Sequence, residues 1–233
     1  SPRYLEVPVV EYSVPGTDEL LFSTRSRTRT AVQSYDFASG DATELFSTPI
    51  LSSAIAFGTS SEARHYFYPR ANRGLAGFVA AVDGERVRRL PIDGYGLTAL
   101  ATATGVLYSF QTAEGIYVTS FLPSGEARSR SISAIALPEK CVPSIRTPDT
   151  VWCAYGWDTY RRELPDDWYS GERRFSDSLF AVNTVTGSAR RLINFETESG
   201  RSIDAVDLTT NEAETALYFR DKLDNTLWYY DLR

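Results

Sequence analysis

The sequence predicts an all-β fold, a five-bladed β-propeller built from repeated antiparallel sheets. Three observations lead to this prediction. Strand–turn–strand segments recur along the chain, and no segment of ten or more residues has the periodicity of an amphipathic helix. The repeat spacing suits a four-stranded blade of roughly 40–45 residues. A closed ring of such sheets protects edges that a linear stack would expose. Six blades is the alternative, if the entry segment or an insertion forms a degenerate sheet.

Residues 176–192 show the repeat most clearly. The apolar run 179–182 enters an Asn-Thr-Val-Thr-Gly turn, in which Asn183 can hydrogen-bond to its own backbone and Gly187 can adopt a positive φ. The turn glycines Gly40, Gly84, Gly125 and Gly187 lie 44, 41 and 62 residues apart. The last interval therefore carries an insertion of about 20 residues. A fifth match, residues 227–232, ends the chain before its turn.

Each repeat is preceded by two further strand-like runs. They lie at 51–57 and 64–68, at 97–103 and 106–111, and at 203–209 and 215–220. The resulting blades span about residues 9–48, 50–91, 95–134, 137–195 and 201–233, within one domain covering 1–233. Because the last blade is one strand short, we expect residues 3–8, which include Tyr4 to Val7, to pair as its outer strand and close the ring.

Composition limits the class of partner. Of 233 residues, 42% are hydrophobic and 23% charged, as is ordinary for a globular protein. The net charge of -6 argues against nucleic acid, which attracts a basic surface. No apolar run approaches the roughly 20 residues that span a bilayer, and we expect any signal peptide to have been removed. The chain opens with Ser1 and Pro2 and contains no Met, so we expect a trimmed domain or mature product.

The two cysteines, Cys141 and Cys153, fall on consecutive strands of the fourth blade. Antiparallel neighbours can bring such residues close enough for a disulfide, which would stabilise by about 3 kcal/mol and indicate an oxidising compartment. The alternative is a pair of buried, reduced side chains. No His or further Cys accompanies them, so we expect no metal site here.

The fourth blade carries a family resemblance. It reads Lys-Cys-Val-Pro-Ser at 140–144, Val-Trp-Cys-Ala at 151–154, Leu-Pro-Asp-Asp-Trp-Tyr at 164–169 and Phe-Ser-Asp-Ser-Leu at 175–179. This string resembles uncharacterised WD-repeat-like or TolB-like propeller proteins of small-genome, Patescibacteria-type bacteria. The resemblance is specific over residues 140–233 and generic before them. It implies a propeller outside the cytoplasm, behind an N-terminal membrane anchor that this sequence lacks, and it implies no catalytic residues.

The insert at residues 156–174 is the predicted binding surface, because aromatic and Arg side chains on a connecting loop favour recognition. The alternative is that Trp157 and Trp168 fold back and cap their own blade. A calcium site at the adjacent carboxylates is disfavoured, since two neighbouring side chains rarely supply enough oxygen ligands. The candidate contact residues are Trp157, Tyr160, Arg161, Asp166, Asp167, Trp168 and Tyr169.

Other motifs carry less information. Residues 94–99 match Gly-x-Gly-x-x-Gly/Ala, but a strand follows rather than a helix, which disfavours phosphate binding. His65 is the only histidine, and no Gly-x-Ser-x-Gly occurs, so an ordinary strand histidine is expected. Residues 24–30 alternate Arg with hydroxyls, which is typical of a solvated face; contact with an anionic polymer is the alternative.

Two functional classes follow. The first is a non-catalytic, extracytoplasmic binding or scaffold propeller at the cell envelope, a monomer without cofactor that holds a protein or glycan partner. It would meet the membrane only through an anchor. The alternative is a glycoside hydrolase, whose chemistry needs two carboxylates about 5 to 10 Å apart. Candidate carboxylates are Asp18, Asp204 and Asp207, and the inner runs 51–57 and 97–103 contain none, which favours the binding class.

Overall fold

The computed structural model describes residues 7–72, 74–156 and 164–232. Strands account for 54% and helices for 6% of them, which confirms the all-β class. The strands are β1 (Val9–Ser13), β2 (Glu19–Arg25), β3 (Thr30–Asp36), β4 (Ala42–Thr48), β5 (Ser53–Ala56), β6 (His65–Pro69), β7 (Ala76–Asp83), β8 (Arg86–Thr102), β9 (Gly105–Gln111), β10 (Tyr117–Pro123), β11 (Arg130–Ile132), β12 (Cys141–Pro143), β13 (Thr150–Tyr155), β14 (Ser178–Asn183), β15 (Ala189–Asn194), β16 (Ala205–Thr210), β17 (Ala216–Asp221) and β18 (Leu227–Asp231). The helices are a 3-10 turn at Pro138–Lys140, α1 (Asp166–Tyr169) and α2 (Phe195–Ser199).

The chain forms two compact units. Unit 1 comprises Ser1–Arg70 and Phe78–Pro91, and unit 2 comprises Ala71–Gly77 and Ile92–Arg233. Unit 1 contains the antiparallel sheet β1-β2-β3-β4 and the ladder β5-β6-β7, which continues into the first part of β8. Its core joins the two sheets through Val32, Phe46, Ile55, Phe67, Ala80 and Val82.

Unit 2 contains the second part of β8 with β9, β10 and β11, followed by the sheets β12-β13-β14-β15 and β16-β17-β18. The middle sheet is packed on both faces. Val151, Cys153 and Phe180 meet Leu107 and Phe121 on one side. On the other side, Ala154 and Leu179 belong to a second apolar cluster, with Phe195, Ile203, Ala205, Leu208, Leu217 and Phe219. Alternation along each strand therefore buries apolar side chains on both faces of this sheet.

The repeated turns have the predicted chemistry. Gly40, Gly84, Gly125 and Gly187 have φ values of 83°, 54°, 82° and 72°, a region that costs a side chain with a Cβ. Asn183 Oδ1 accepts the backbone N–H groups of residues 185 and 186 at 3.0 and 2.8 Å, so the side chain closes the turn. These local features are the part of the repeat prediction that the structure confirms.

The second and third predicted blades are not separated as expected. Two strands were expected at residues 85–90 and 97–103, but one continuous strand, β8, covers both. The glycines between them allow this path. A Cβ on Gly94 would lie 2.5 Å from Phe110 Cδ2, and Gly96 adopts a φ of +57° where the register shifts between Tyr95 and Thr98. The strand pairing therefore does not confirm a count of five blades.

The last sheet has three strands, and the described residues supply no fourth partner for it. The segment expected to close the ring, residues 3–8, lies outside the described residues except for Val7 and Pro8. Closure by the N-terminal segment therefore stays a prediction.

The predicted disulfide forms between Cys141 and Cys153. The two residues are direct partners across β12 and β13, with their Cα atoms 4.1 Å apart. Both side chains are buried in the cluster that joins the middle sheet to β9 and β10. The bond ties the edge strand β12, which follows Lys140 directly, to the centre of its sheet.

Candidate binding site

The structure describes the second half of the insert, residues 164–175, called the insert segment below. Trp157, Tyr160 and Arg161 lie outside the described residues. Within the insert segment, α1 holds four of the seven candidate residues. Asp166 and Asp167 are half-buried, Trp168 is 5% exposed and Tyr169 is 50% exposed. Trp168 therefore contributes to packing, while Tyr169 is available to a partner.

Apolar side chains anchor the insert segment to the rest of unit 2. Leu164, Trp168 and Phe175 enter one buried cluster, which also contains Tyr117, Ile135, Leu137 and Val206. Burying one side chain of this size contributes roughly 1.5–3 kcal/mol, so the three anchors together offset part of the backbone entropy that ordering the segment costs.

A close backbone approach fixes the base of the insert segment. A Cβ on Gly96 would lie 2.4 Å from the carbonyl oxygen of Leu164 and 2.9 Å from Pro165 Cδ. Gly96 also has its φ in the left-handed region, and its N–H donates to the carbonyl oxygen of Asn72 at 3.2 Å. Only glycine combines a positive φ with room for the carbonyl oxygen of Leu164. The Gly-x-Gly motif at residues 94–96 therefore contributes to packing against the insert.

Beneath the insert segment lies a buried ion cluster formed by Lys140, Asp177 and Asp204. Lys140 Nζ contacts Asp177 Oδ2 at 2.7 Å and also Asp204 Oδ1, and none of the three side chains is more than 1% exposed. Removing charges from water is costly, so such a group persists only with close pairing and additional hydrogen bonds. The cluster joins the 3-10 turn, the start of β14 and the start of β16.

Asp204 ties this cluster to the insert segment. The indole N–H of Trp168 donates to both carboxylate oxygens at 3.2 and 3.1 Å, and the backbone N–H of Phe175 donates at 3.3 Å. The rings of Trp168 and Phe175 also cover Lys140 Nζ, with centroids 5.2 and 4.9 Å away. Trp168 and Phe175 therefore do more than fill the apolar cluster. Each donates a hydrogen bond to Asp204, and the ring of each lies over Lys140 Nζ.

Asp177 is less well satisfied. Its Oδ2 accepts the backbone N–H of Ala205 at 2.8 Å, but its Oδ1 has no hydrogen-bond partner among the described residues. Burial raises the pKa of Asp177 to about 6, against the attraction of Lys140, and the negative charge of Asp204 adds to the increase.

Lys222 clamps the insert segment from the turn after β17. Its Nζ donates to the carbonyl oxygen of Trp168 and lies 4.0 Å from the centre of the Trp168 ring. Burial lowers the pKa of Lys222, while the charge of Asp204 opposes that decrease. Lys222 thus binds the backbone carbonyl of Trp168, while Asp204 binds the indole N–H of the same residue.

Two exposed side chains outside the insert lie next in sequence to residues that support the insert segment. Tyr95 is 45% exposed and precedes Gly96, and Ile116 is 44% exposed and precedes Tyr117 of the anchoring cluster. We call Tyr95, Ile116 and Tyr169 together the insert face. Tyr169 is oriented by a hydrogen bond from its hydroxyl to Glu139.

The carboxylates considered for a hydrolase are engaged elsewhere. Asp204 is fully buried in the ion cluster, and Asp207 is exposed and bonded to Arg220 at 2.8 Å. Asp18 accepts from the hydroxyl of Thr17 at 3.0 Å. Within the described ranges, no group of three or more His, Cys, Asp or Glu side chains is arranged to hold a metal ion, and no helix is long and apolar enough to cross a membrane.

Comparisons with known proteins give structural matches only; no family model and no curated protein matches the sequence. TolB from Acinetobacter baumannii superposes with a TM-score of 0.63 at 12% identity, over 97% of this chain and 52% of that one. A chain of the nidogen/laminin complex gives 0.60 at 10% identity, over 96% and 76%. Acylaminoacyl peptidase from Pyrococcus horikoshii gives 0.57 at 9% identity, over 97% and 37%.

The chain thus spans about half the length of the TolB chain that it matches. At such identities the likeness concerns the fold alone. The neighbours are β-propellers, and the described sheets of this almost entirely β chain resemble theirs.

Proposed function

We propose that this chain is a non-catalytic β-propeller domain that binds a protein or glycan partner at the cell envelope, outside the cytoplasm. The observation that carries the proposal is the anchored insert segment. Trp168 is held below by Asp204 and above by Lys222, while Tyr169 stays exposed. A surface already ordered before binding loses less side-chain and loop entropy when the partner arrives.

The chemistry of the insert face supports a protein partner first. Exposed Tyr and aliphatic side chains with a polar rim are typical of recognition surfaces, because each ring covers much area at little rotamer cost. One structural neighbour comes from a complex of two proteins, nidogen and laminin. The Cys141–Cys153 disulfide supports an oxidising compartment.

The proposal includes finer features. The ring would have five blades closed by residues 3–8, and the native protein would be a monomer that reaches the membrane only through an anchor. The candidate residues of the insert other than Tyr169 and the buried Trp168 would extend the binding surface. Those residues are Trp157, Tyr160, Arg161, Asp166 and Asp167.

A capture experiment from native envelope extract tests the proposal. The double variant Tyr169→Ala, Ile116→Ala removes two side chains of the insert face, and we expect at least about a tenfold loss of the captured partner, the effect of one to two hot-spot residues. Val185→Ala is the matched control, since Val185 is equally exposed but lies on the β14–β15 turn. Equal capture by wild type and the double variant would refute the insert face, and separate Trp157→Ala and Tyr160→Ala variants assess the remaining insert residues.

A further inference from the structure

The insert segment covers a cluster in which one ammonium group directly contacts two carboxylates. Lys140 Nζ bonds to Asp177 and Asp204, and Asp204 gains further donors from the insert segment. Asp177 Oδ1 has none among the described residues. The unsatisfied oxygen of the cluster is therefore on Asp177.

Two events can relieve the cost of burying this ionised carboxylate. It can take up a proton, which removes the buried negative charge, or water can reach the cluster and donate hydrogen bonds. The rings of Trp168 and Phe175 lie over Lys140 Nζ, so lifting the insert segment opens the cluster to water. Protonation of Asp177 and opening of the insert segment are thus alternative ways to avoid the cost of a buried, ionised carboxylate.

We propose that the insert segment is a proton-linked cover, which stays docked while Asp177 carries a proton and opens more often once Asp177 is ionised. This inference rests on the proposed function only in that Tyr169 of the insert face moves with the cover. The docking equilibrium itself needs no partner.

The charged groups around Asp177 set the direction of the linkage. Lys140, on the 3-10 turn, favours the ionised form, and Asp204, at the start of β16, opposes it. Lys222 reaches the far side of Trp168 from the turn after β17. The other charged groups on the surrounding elements are Glu139, Asp166, Asp167, Glu172, Arg173, Arg174, Glu196, Glu198, Arg201 and Asp221. Burial outweighs the attraction of Lys140, because the pKa of Asp177 is raised to about 6.

The direction of the pH dependence follows from the pKa of Asp177 in the docked and in the opened state. In the docked state the pKa of Asp177 is about 6, and in the opened, solvated state it returns toward the ordinary aspartate value of 3.8. The docked state therefore binds more protons between these values, and lowering the pH favours docking. By linkage the docking constant is expected to be about tenfold larger near pH 5 than near pH 7.5.

Hydrogen exchange of the backbone amides of residues 166–175 measures docking directly. After correction for intrinsic exchange rates, we expect about tenfold greater protection near pH 5 than near pH 7.5. Asp177→Asn keeps an acceptor for Ala205 and Lys140 but carries no charge, so its protection should be high and independent of pH. Asp207→Asn, an exposed carboxylate outside the cluster, should retain the wild-type pH dependence.

A second variant keeps the inference testable if Asp177→Asn fails to fold. Asp204→Asn removes the negative charge that adds to the raised pKa of Asp177, so it should move the pH dependence downward, while its amide oxygen can still accept from the insert segment. Equal protection at both pH values in wild type, or unchanged pH dependence in Asp177→Asn, would overturn the inference. Equal capture by wild type and by the Tyr169→Ala, Ile116→Ala variant, with pH-linked protection intact, would instead count against the proposed function alone.

Discussion

Replacing Lys140 by methionine removes the ammonium group that bridges Asp177 and Asp204. The methionine fills a similar volume, but two buried carboxylates are left without their cation. Breaking a buried pair from one side costs about 3–5 kcal/mol, because the remaining charge stays desolvated. We expect unit 2 to lose stability by that amount near neutral pH.

Urea unfolding followed by tryptophan fluorescence measures this loss in unit 2 specifically. All four tryptophans of the chain, Trp152, Trp157, Trp168 and Trp228, belong to that unit. The variant should also regain stability as the pH is lowered toward about 5, since losing the Lys140 charge raises the pKa of Asp177 further and protonation removes its buried charge.

A compensating variant tests whether the expected loss of stability comes from the unpaired buried carboxylates. Lys140→Met combined with Asp177→Asn and Asp204→Asn removes all three charges, and it should recover most of the lost stability. A loss below about 1 kcal/mol in Lys140→Met alone, the range of a surface pair, would refute the description of this cluster as buried and charge-paired.

The other predictions concern neighbouring features. Replacing both Cys141 and Cys153 by Ser should lower the free energy of unfolding of unit 2 by about 2–4 kcal/mol in urea titrations, and an unchanged midpoint would argue against the bond. Gly96→Ala should destabilise unit 2 by more than Gly171→Ala in the same assay, because both glycines have positive φ but only Gly96 would clash with Leu164. His65 is buried in unit 1, where burial lowers its pKa and Gly58 N–H donates to Nδ1 at 3.0 Å. The unfolded state therefore takes up the proton first, so hydrogen exchange in unit 1 should speed up, after intrinsic correction, as the pH falls below about 6.5; His65→Gln should reduce this dependence.

Local chemistry explains which parts of the fold were predictable from the sequence. The turn glycines and Asn183 act within a few residues, so their spacing indicates hairpins directly. The cysteine pair could be placed because both residues fall on one predicted hairpin. The continuous strand β8 was missed because it depends on the approach of Gly94 to Phe110, a contact between strands that no local pattern encodes.

The candidate site was predictable only in part, for a similar reason. The insert was recognisable by its aromatic and charged composition, but the partners of Trp168 come from distant positions. Asp204 lies 36 residues from Trp168 and 64 from Lys140. In the sequence Lys140 stands out only as part of the Lys-Cys-Val-Pro-Ser string, and Asp204 only as a candidate catalytic carboxylate. Only their burial together shows that they support the insert segment. Tyr95 and Ile116 look like ordinary strand positions until their exposure is known.

Site-specific photo-crosslinking tests the central claim, that the insert face contacts the partner. A photoreactive amino acid would replace Tyr169 in one sample and Val185 in a second, and both would be irradiated in native envelope extract. The account predicts one defined adduct from position 169 and none from position 185. The same adducts from both positions, or an adduct from position 185 alone, would contradict it.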